Sequence, residues 1–241
     1  MNTRPFKDHT MIPYKDEDPR NAALPIMTIA ILAINVIVFV VFELPRIGGG
    51  TFEQWLMDVV LIPAEVTDGL TAEVALDLLR SMFMHAGISH IAGNMLYLWV
   101  FADNVENAMG HLVFLGVYLL SGVAAAAAHV IVAPNSTVPT LGASGAIAGV
   151  LGAYLVLFPK NRVMTMVPGR NKARMQEMPA LVVLGFWFVL QLVNAVAGLN
   201  AVEQGGVAFM AHVGGFVAGA ALGLVWKAIG SSPAPARATS T

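Results

Sequence analysis

Apolar residues gather in six blocks along this chain: Ala23 to Phe42, Ile88 to Met109, Leu112 to Ala133, Leu141 to Phe158, Pro179 to Gly198 and Gly206 to Trp226. Each approaches the roughly 20 residues a helix needs to cross the hydrocarbon core of a bilayer. A membrane barrel would instead alternate apolar and polar residues over about ten positions, and the blocks lack that alternation. They predict an all-α fold, a polytopic membrane helical bundle of six transmembrane helices. Only the second block carries formal charge, Asp103 and Glu106, beside His90, Asn94 and Asn104. A helix lined by neighbours can keep such residues facing inward. Asp103 and Glu106 fall near the far end of the block, where solvation is the expected account.

Between and around the blocks the pattern changes. Residues 1–21 are polar and 230–241 are mostly Ser, Pro, Ala and Thr. Both read as disordered cytoplasmic tails flanking one membrane domain over 22–229. The connection from Glu43 to Gly87 shows Phe52, Trp55, Leu56, Val59 and Val60 at helical spacing, then Val74, Leu76, Leu79 and Phe83. Such amphipathic segments either lie in the membrane interface or pack on the bundle edge.

Composition agrees with a membrane protein: 57% hydrophobic and 12% charged residues, against about 25% charged in soluble domains. A net charge of -2 leaves no basic surface suited to nucleic acid. The absence of cysteine excludes disulfides, thiolate nucleophiles and thiolate zinc sites. The sidedness of charge says more. Arg4, Lys7, Lys15 and Arg20 precede the first block; Lys160, Arg162, Arg170, Lys172 and Arg174 separate the fourth and fifth; Lys227 and Arg237 follow the sixth. The positive-inside rule puts these segments, and both termini, in the cytoplasm. No small-residue cleavage site follows the first block, which reads as a retained anchor.

That orientation starts the second, fourth and sixth blocks at the outer face. Ser144 then lies about 5 to 10 Å below the boundary at 1.5 Å per residue, with His90, Asn94 and His212 at comparable depth. A serine hydroxyl needs a base to become a nucleophile, and histidine is the usual one near neutral pH. Ser144 and His212 form the candidate dyad, and the base must be neutral to accept the proton. His90, Asn94 and the Ser144 backbone N–H are donors available to a developing oxyanion. His85 lies at the membrane edge and is a candidate for orienting a loop or water; His111 and His129 read as interfacial or packing residues. Asp103 is too deep, and Glu203 lies in a loop, so a dyad is favoured over a triad. Gly142, Gly145, Gly149 and Gly152 in the fourth block, with Gly215, Gly219 and Gly223 in the sixth, allow close backbone approach.

Other chemistries fit less well. A hydrolase elbow would read Gly-x-Ser-x-Gly, whereas Gly145 directly follows Ser144. A zinc protease needs His-Glu-x-x-His, but His85 and His90 would point about 140° apart on one helix. Neither metal nor cofactor is expected.

Three stretches carry a resemblance: Phe83 through Met95 with His85, His90 and Asn94, then Gly142-Ala143-Ser144-Gly145, then Ala211-His212-Val213-Gly214-Gly215. In this order and on these blocks they resemble the signatures of the rhomboid intramembrane serine proteases, from about Ala23 to Trp226. The resemblance implies Ser144 as nucleophile, His212 as base, and His90 and Asn94 in the oxyanion hole. It also implies single-span membrane protein substrates, cut near helix-destabilising small residues at the outer boundary, and a six-span form of the bacterial plasma membrane. The chain departs from some members in having Ala148 where a tyrosine packs on the base, so other contacts must hold His212. The Trp-Arg pair common in the first outer loop is also missing. Neither a seventh span nor an appended soluble domain is expected.

Two other classes compete. One is a non-catalytic protein that binds and guides transmembrane segments; retention of both Ser144 and His212 argues against it. The other is a transporter, which would show polar lining through the whole thickness or paired broken helices. The fifth block, with Phe186, Trp187 and Phe188, is a candidate gate for substrate. Oligomeric state is left open.

Overall fold

A computed structural model describes residues 11–17, 23–167, 172–197 and 208–230. Helices occupy all six apolar blocks. The first, α1 (Ile26–Val38), continues through a wider π-helical turn at Phe39–Glu43. Three short helices follow: α2 (Phe52–Met57), α3 (Pro63–Asp68) and α4 (Ala72–Ser81). Then come α5 (Ile88–Met109), α6 (His111–Val132), α7 (Ser144–Leu157), α8 (Ala180–Ala197) and α9 (Phe209–Ala228). Among the described residues, four helical stretches are long and apolar enough to cross a membrane: Ile26–Glu43, α6, α8 and α9.

At the centre stands α7, buried over most of its length from Gly145 to Leu157. It packs chiefly on α9, with α6 and α5 completing its surroundings. Glycine makes the α7–α9 contact possible. A Cβ at Gly215 would lie 2.0 Å from the carbonyl oxygen of Gly145, and one at Gly152 would lie 2.1 Å from that of Phe216. These helices meet backbone to backbone, the geometry small residues permit within membranes. Residues 145, 149 and 153 of α7 face 215, 219 and 223 of α9 in order, so the helices run parallel and begin at the same end of the bundle.

The polar end of α5 differs from the sequence expectation. Glu106 is not solvated but buried, 2% exposed. Its carboxylate accepts from the N–H groups of Met27 and Thr28 at 2.8 and 2.7 Å and from the Thr28 hydroxyl at 2.6 Å; His111 binds the same group. The first turn of any helix has unpaired N–H donors and a positive dipole end. Pro25, preceding α1, supplies no side-chain cap, and Glu106 fills that role from another helix.

The all-α expectation also needs correction. An antiparallel three-stranded sheet, ordered β1-β2-β3, joins β1 (Ile12–Asp16), β2 (Arg162–Val167) and β3 (Arg174–Pro179). Residues 12–16 were expected to be disordered. They are instead paired with β2 and pinned to the bundle by Asp16, which accepts from the Tyr154 hydroxyl at 2.6 Å and from Asn104 Nδ2. Residues 1–10, 18–21 and 231–241 of the expected tails, and Glu203, lie outside the described residues.

The long connection after α1 packs on the bundle, burying Leu56, Val60, Leu61, Ile62, Val74 and Met82. It also braces the approach to α7. Thr140 N–H donates to the Leu61 carbonyl at 2.7 Å, and Gly142 N–H donates to that of Ser81 at 2.8 Å.

Candidate functional site

Ser144 is the first residue of α7. The chain enters that helix through Gly142, whose φ of 124° suits glycine because L side chains rarely adopt it. Space imposes the same choice: a Cβ there would lie 2.8 Å from His90 Nε2. With both ends of the entry loop held by Leu61 and Ser81, the serine is presented at a fixed helix start. Its own N–H lies among the donors that a helix leaves unpaired in its first turn.

His212 lies in the first turn of α9, with its N–H donating to the Ala208 carbonyl at 3.3 Å. The parallel glycine seam brings this turn beside the start of α7. Nε2 of His212 is 2.8 Å from Ser144 Oγ, and Nδ1 is 2.8 Å from Oε1 of Gln191 on α8. The Trp187 ring lies one helical turn before Gln191, its centroid 6.0 Å from the imidazole at 35°, while Phe209 meets it edge-on at 6.3 Å. These contacts hold the His212 ring in a chain that has Ala148 on α7 one turn after Ser144. Gln191 was not foreseen. Its signal is one of only two polar amides, with Asn194, on a largely apolar helix, four residues after Trp187 and hence on the same face.

His90 and Asn94 lie on one side of α5, a turn apart. The N–H of Ala86 donates to His90 Nδ1 at 3.3 Å, which places the hydrogen of a neutral ring on Nε2. That Nε2 is the atom nearest Gly142 in the entry loop. Asn94 is buried, and its Nδ2 has no partner among the described residues. Buried donors are rarely left so.

His85 is fully buried rather than lying at an open edge. Its ring packs edge-on against His90 at 5.2 Å, and its backbone N–H donates to Glu43 Oε1 at 2.7 Å. Glu43, at the end of the π-helical turn, is the second residue the sequence reading missed. Its carboxylate clamps the segment that supports His90. A pocket of about 40 Å³ adjoins Ser144, lined by Ser81, Met82, Gly122, Ala125 and Ala211 among others. No group of three His, Asp or Glu side chains suited to a metal occurs among the described residues.

Known proteins are similar to this chain in sequence. The family model of the Rhomboid domain matches residues 72–228. The chain is 32% identical to Rhomboid protease GluP of Bacillus subtilis over 200 residues, 83% of this chain and 35% of that protein. It is 29% identical to Rhomboid protein 1, mitochondrial, of Saccharomyces cerevisiae, covering 80% and 51% of the two. With the human Presenilin-associated rhomboid-like protein, mitochondrial, it shares 31% identity over 135 residues, 55% of this chain and 33% of that one. The chain thus spans about a third to a half of the length of these relatives.

Proposed function

Because this chain belongs to the rhomboid family, we propose that it is an intramembrane serine endopeptidase, hydrolysing peptide bonds in or beside transmembrane segments through Ser144 and His212. One observation carries the reading: the 2.8 Å contact between His212 Nε2 and Ser144 Oγ, the distance at which a base takes a hydroxyl proton.

The chemistry follows from that contact. Ser144 Oγ attacks the scissile carbonyl carbon as its proton passes to His212 Nε2. Negative charge then collects on the former carbonyl oxygen. The Ser144 N–H, His90 Nε2–H and Asn94 Nδ2 are the donors assigned to it, and fixed donors in a low-dielectric site stabilise such charge strongly. The imidazolium returns its proton to the departing amine, leaving an acyl-serine. Water attacks this ester as His212 takes its proton; the imidazolium then gives that proton to the leaving Ser144 Oγ, releasing the acid product and restoring free Ser144 and neutral His212.

The reading includes a six-span topology with both termini cytoplasmic and the site opening to the outer face of a bacterial inner membrane. Helices at all six apolar blocks support the count. With 14 residues, α7 spans about 21 Å at 1.5 Å per residue, less than the ~30 Å hydrocarbon core. A short helix of this kind keeps Ser144 below the outer boundary, within reach of water from that side. Single-span membrane proteins are the proposed substrates, and the pocket of about 40 Å³ beside Ser144 suits a small side chain. Bilayer lipid is the other proposed partner; no cofactor enters the scheme.

The test is cleavage of a single-span reporter protein in liposomes by wild type, Ser144→Ala and His212→Ala, with a metal chelator present. Cleavage by wild type alone is expected. Equal cleavage by all three would sink the assignment of the nucleophile. Failure of all three, with no labelling of Ser144 by a serine-reactive probe, would favour a guide protein that binds transmembrane segments without cutting them.

A further inference from the structure

A neutral imidazole carries one hydrogen, and the partner of one ring nitrogen decides what the other can do. If Nδ1 of His212 holds the hydrogen, Nε2 presents a lone pair to Ser144 and can accept its proton. With the hydrogen on Nε2, the ring cannot act as base. Ser144 does not settle this choice, since a hydroxyl both donates and accepts. The nearer determinant is the group at Nδ1, the amide oxygen of Gln191 at 2.8 Å. An amide oxygen only accepts.

We propose, building on the protease reading, that Gln191 is a positioning residue: its side-chain oxygen accepts the Nδ1–H of His212 and holds the ring in the tautomer whose Nε2 faces Ser144. Trp187, from the same face of α8, limits rotation of the ring by lying against it. Both contacts come from one helix turn, so α8 sets protonation and orientation together. A neutral amide suits this depth. A carboxylate would hold the imidazolium more firmly, but an ion carries a large desolvation cost away from water. The titratable groups whose charge reaches His212 are His90 on α5 and His129 on α6.

The experiment compares full-length wild type, Gln191→Met and Gln191→Glu in liposomes with the single-span reporter, recording kcat, KM and the pH–rate profile. It is joined to ¹⁵N spectra of histidine-labelled protein, with the His212 signal identified by its loss in His212→Ala. Methionine keeps length and apolar volume but removes the acceptor; glutamate restores an acceptor. The Met variant is expected to lose roughly 10- to 100-fold in kcat with KM within twofold, and to lose the Nδ1–H signature seen in wild type. The Glu variant is expected to recover activity over Met, with its acid limb moved to higher pH because a carboxylate favours the imidazolium. An active wild type with a Met variant unchanged in kcat and spectrum overturns the proposal, as does a Glu variant no better than Met. An inactive wild type that keeps the Nδ1–H signature, lost in the Met variant, overturns the protease reading and supports the tautomer assignment.

Discussion

Gly219 of α9 faces the backbone of Gly149 of α7 so closely that a Cβ at 219 would lie 1.8 Å from the Gly149 carbonyl oxygen. No rotamer change can relieve such a contact, because the obstacle is main chain. The separation of the two helices, and with it the Ser144–His212 distance, is therefore set where neither side chain takes part.

Gly219→Ala is expected to force α7 and α9 apart, lowering stability by about 1–3 kcal/mol as overpacking does, and to reduce cleavage at least tenfold. Gly116→Ala on α6 is the control: nothing lies within 4 Å of its added Cβ, so it should be neutral or slightly stabilising. Thermal unfolding in detergent and reporter cleavage, measured on both variants, check the contrast. Equal behaviour would show that the seam yields more easily than its geometry implies.

Asn94→Ala removes a proposed oxyanion donor and leaves Ser144 and His212 in place. A loss of about 100-fold in kcat with little change in KM is expected, in line with about 3 kcal/mol for one oxyanion-hole donor. His90→Ala should behave similarly, with added instability because His85 packs on that ring. Serine-probe labelling and steady-state kinetics separate the two losses; a change confined to KM would move Asn94 out of the hole and into substrate binding.

Glu106→Gln keeps the shape of the carboxylate but replaces one accepting oxygen with an NH2 group aimed among donors. A destabilisation of about 2 kcal/mol is expected, the scale of hydrogen bonds to charged groups, with kcat retained at temperatures where the fold persists. Unfolding midpoints beside kcat test this. A fall in kcat at full stability would tie Glu106 to the chemistry instead.

Tyr154→Phe deletes the hydroxyl that donates to Asp16. The strand at 12–16 should then detach more readily, exchanging its amide hydrogens faster than in wild type, with stability lowered by about 1–2 kcal/mol. Hydrogen exchange resolved over β1 and β2 decides it; unchanged protection would show that the β1–β2 pairing holds the strand by itself.

The helices were legible because hydropathy is a local signal: each of the six apolar blocks starts and ends within three residues of the helix found there. Ser144, His212, His90 and Asn94 could be named because residues of these types are costly at membrane depth. What escaped reading depends on partners distant in sequence. Glu106 looked like a solvated helix end, since its ligands at Met27 and Thr28 come from the first helix. The sheet was hidden for the same reason. Its strands are short, and β1 finds β2 only after the seven helices between them, α1 to α7, have folded back. Gln191 was overlooked because α8 was read for its aromatics, and only the packed bundle shows which face of that helix meets His212.

On the protease reading proposed above, the nucleophile and its base are far apart in chain order: Ser144 begins α7, whereas His212 arrives on α9, the last described helix. During synthesis the serine enters the membrane long before the imidazole that activates it. An unassisted serine hydroxyl is a weak nucleophile, so the growing chain stays harmless to itself and to its neighbours. On that reading reactivity arrives only with α9, when docking along the glycine seam brings Ser144 and His212 together, and the meeting of these two helices is the step that arms the site.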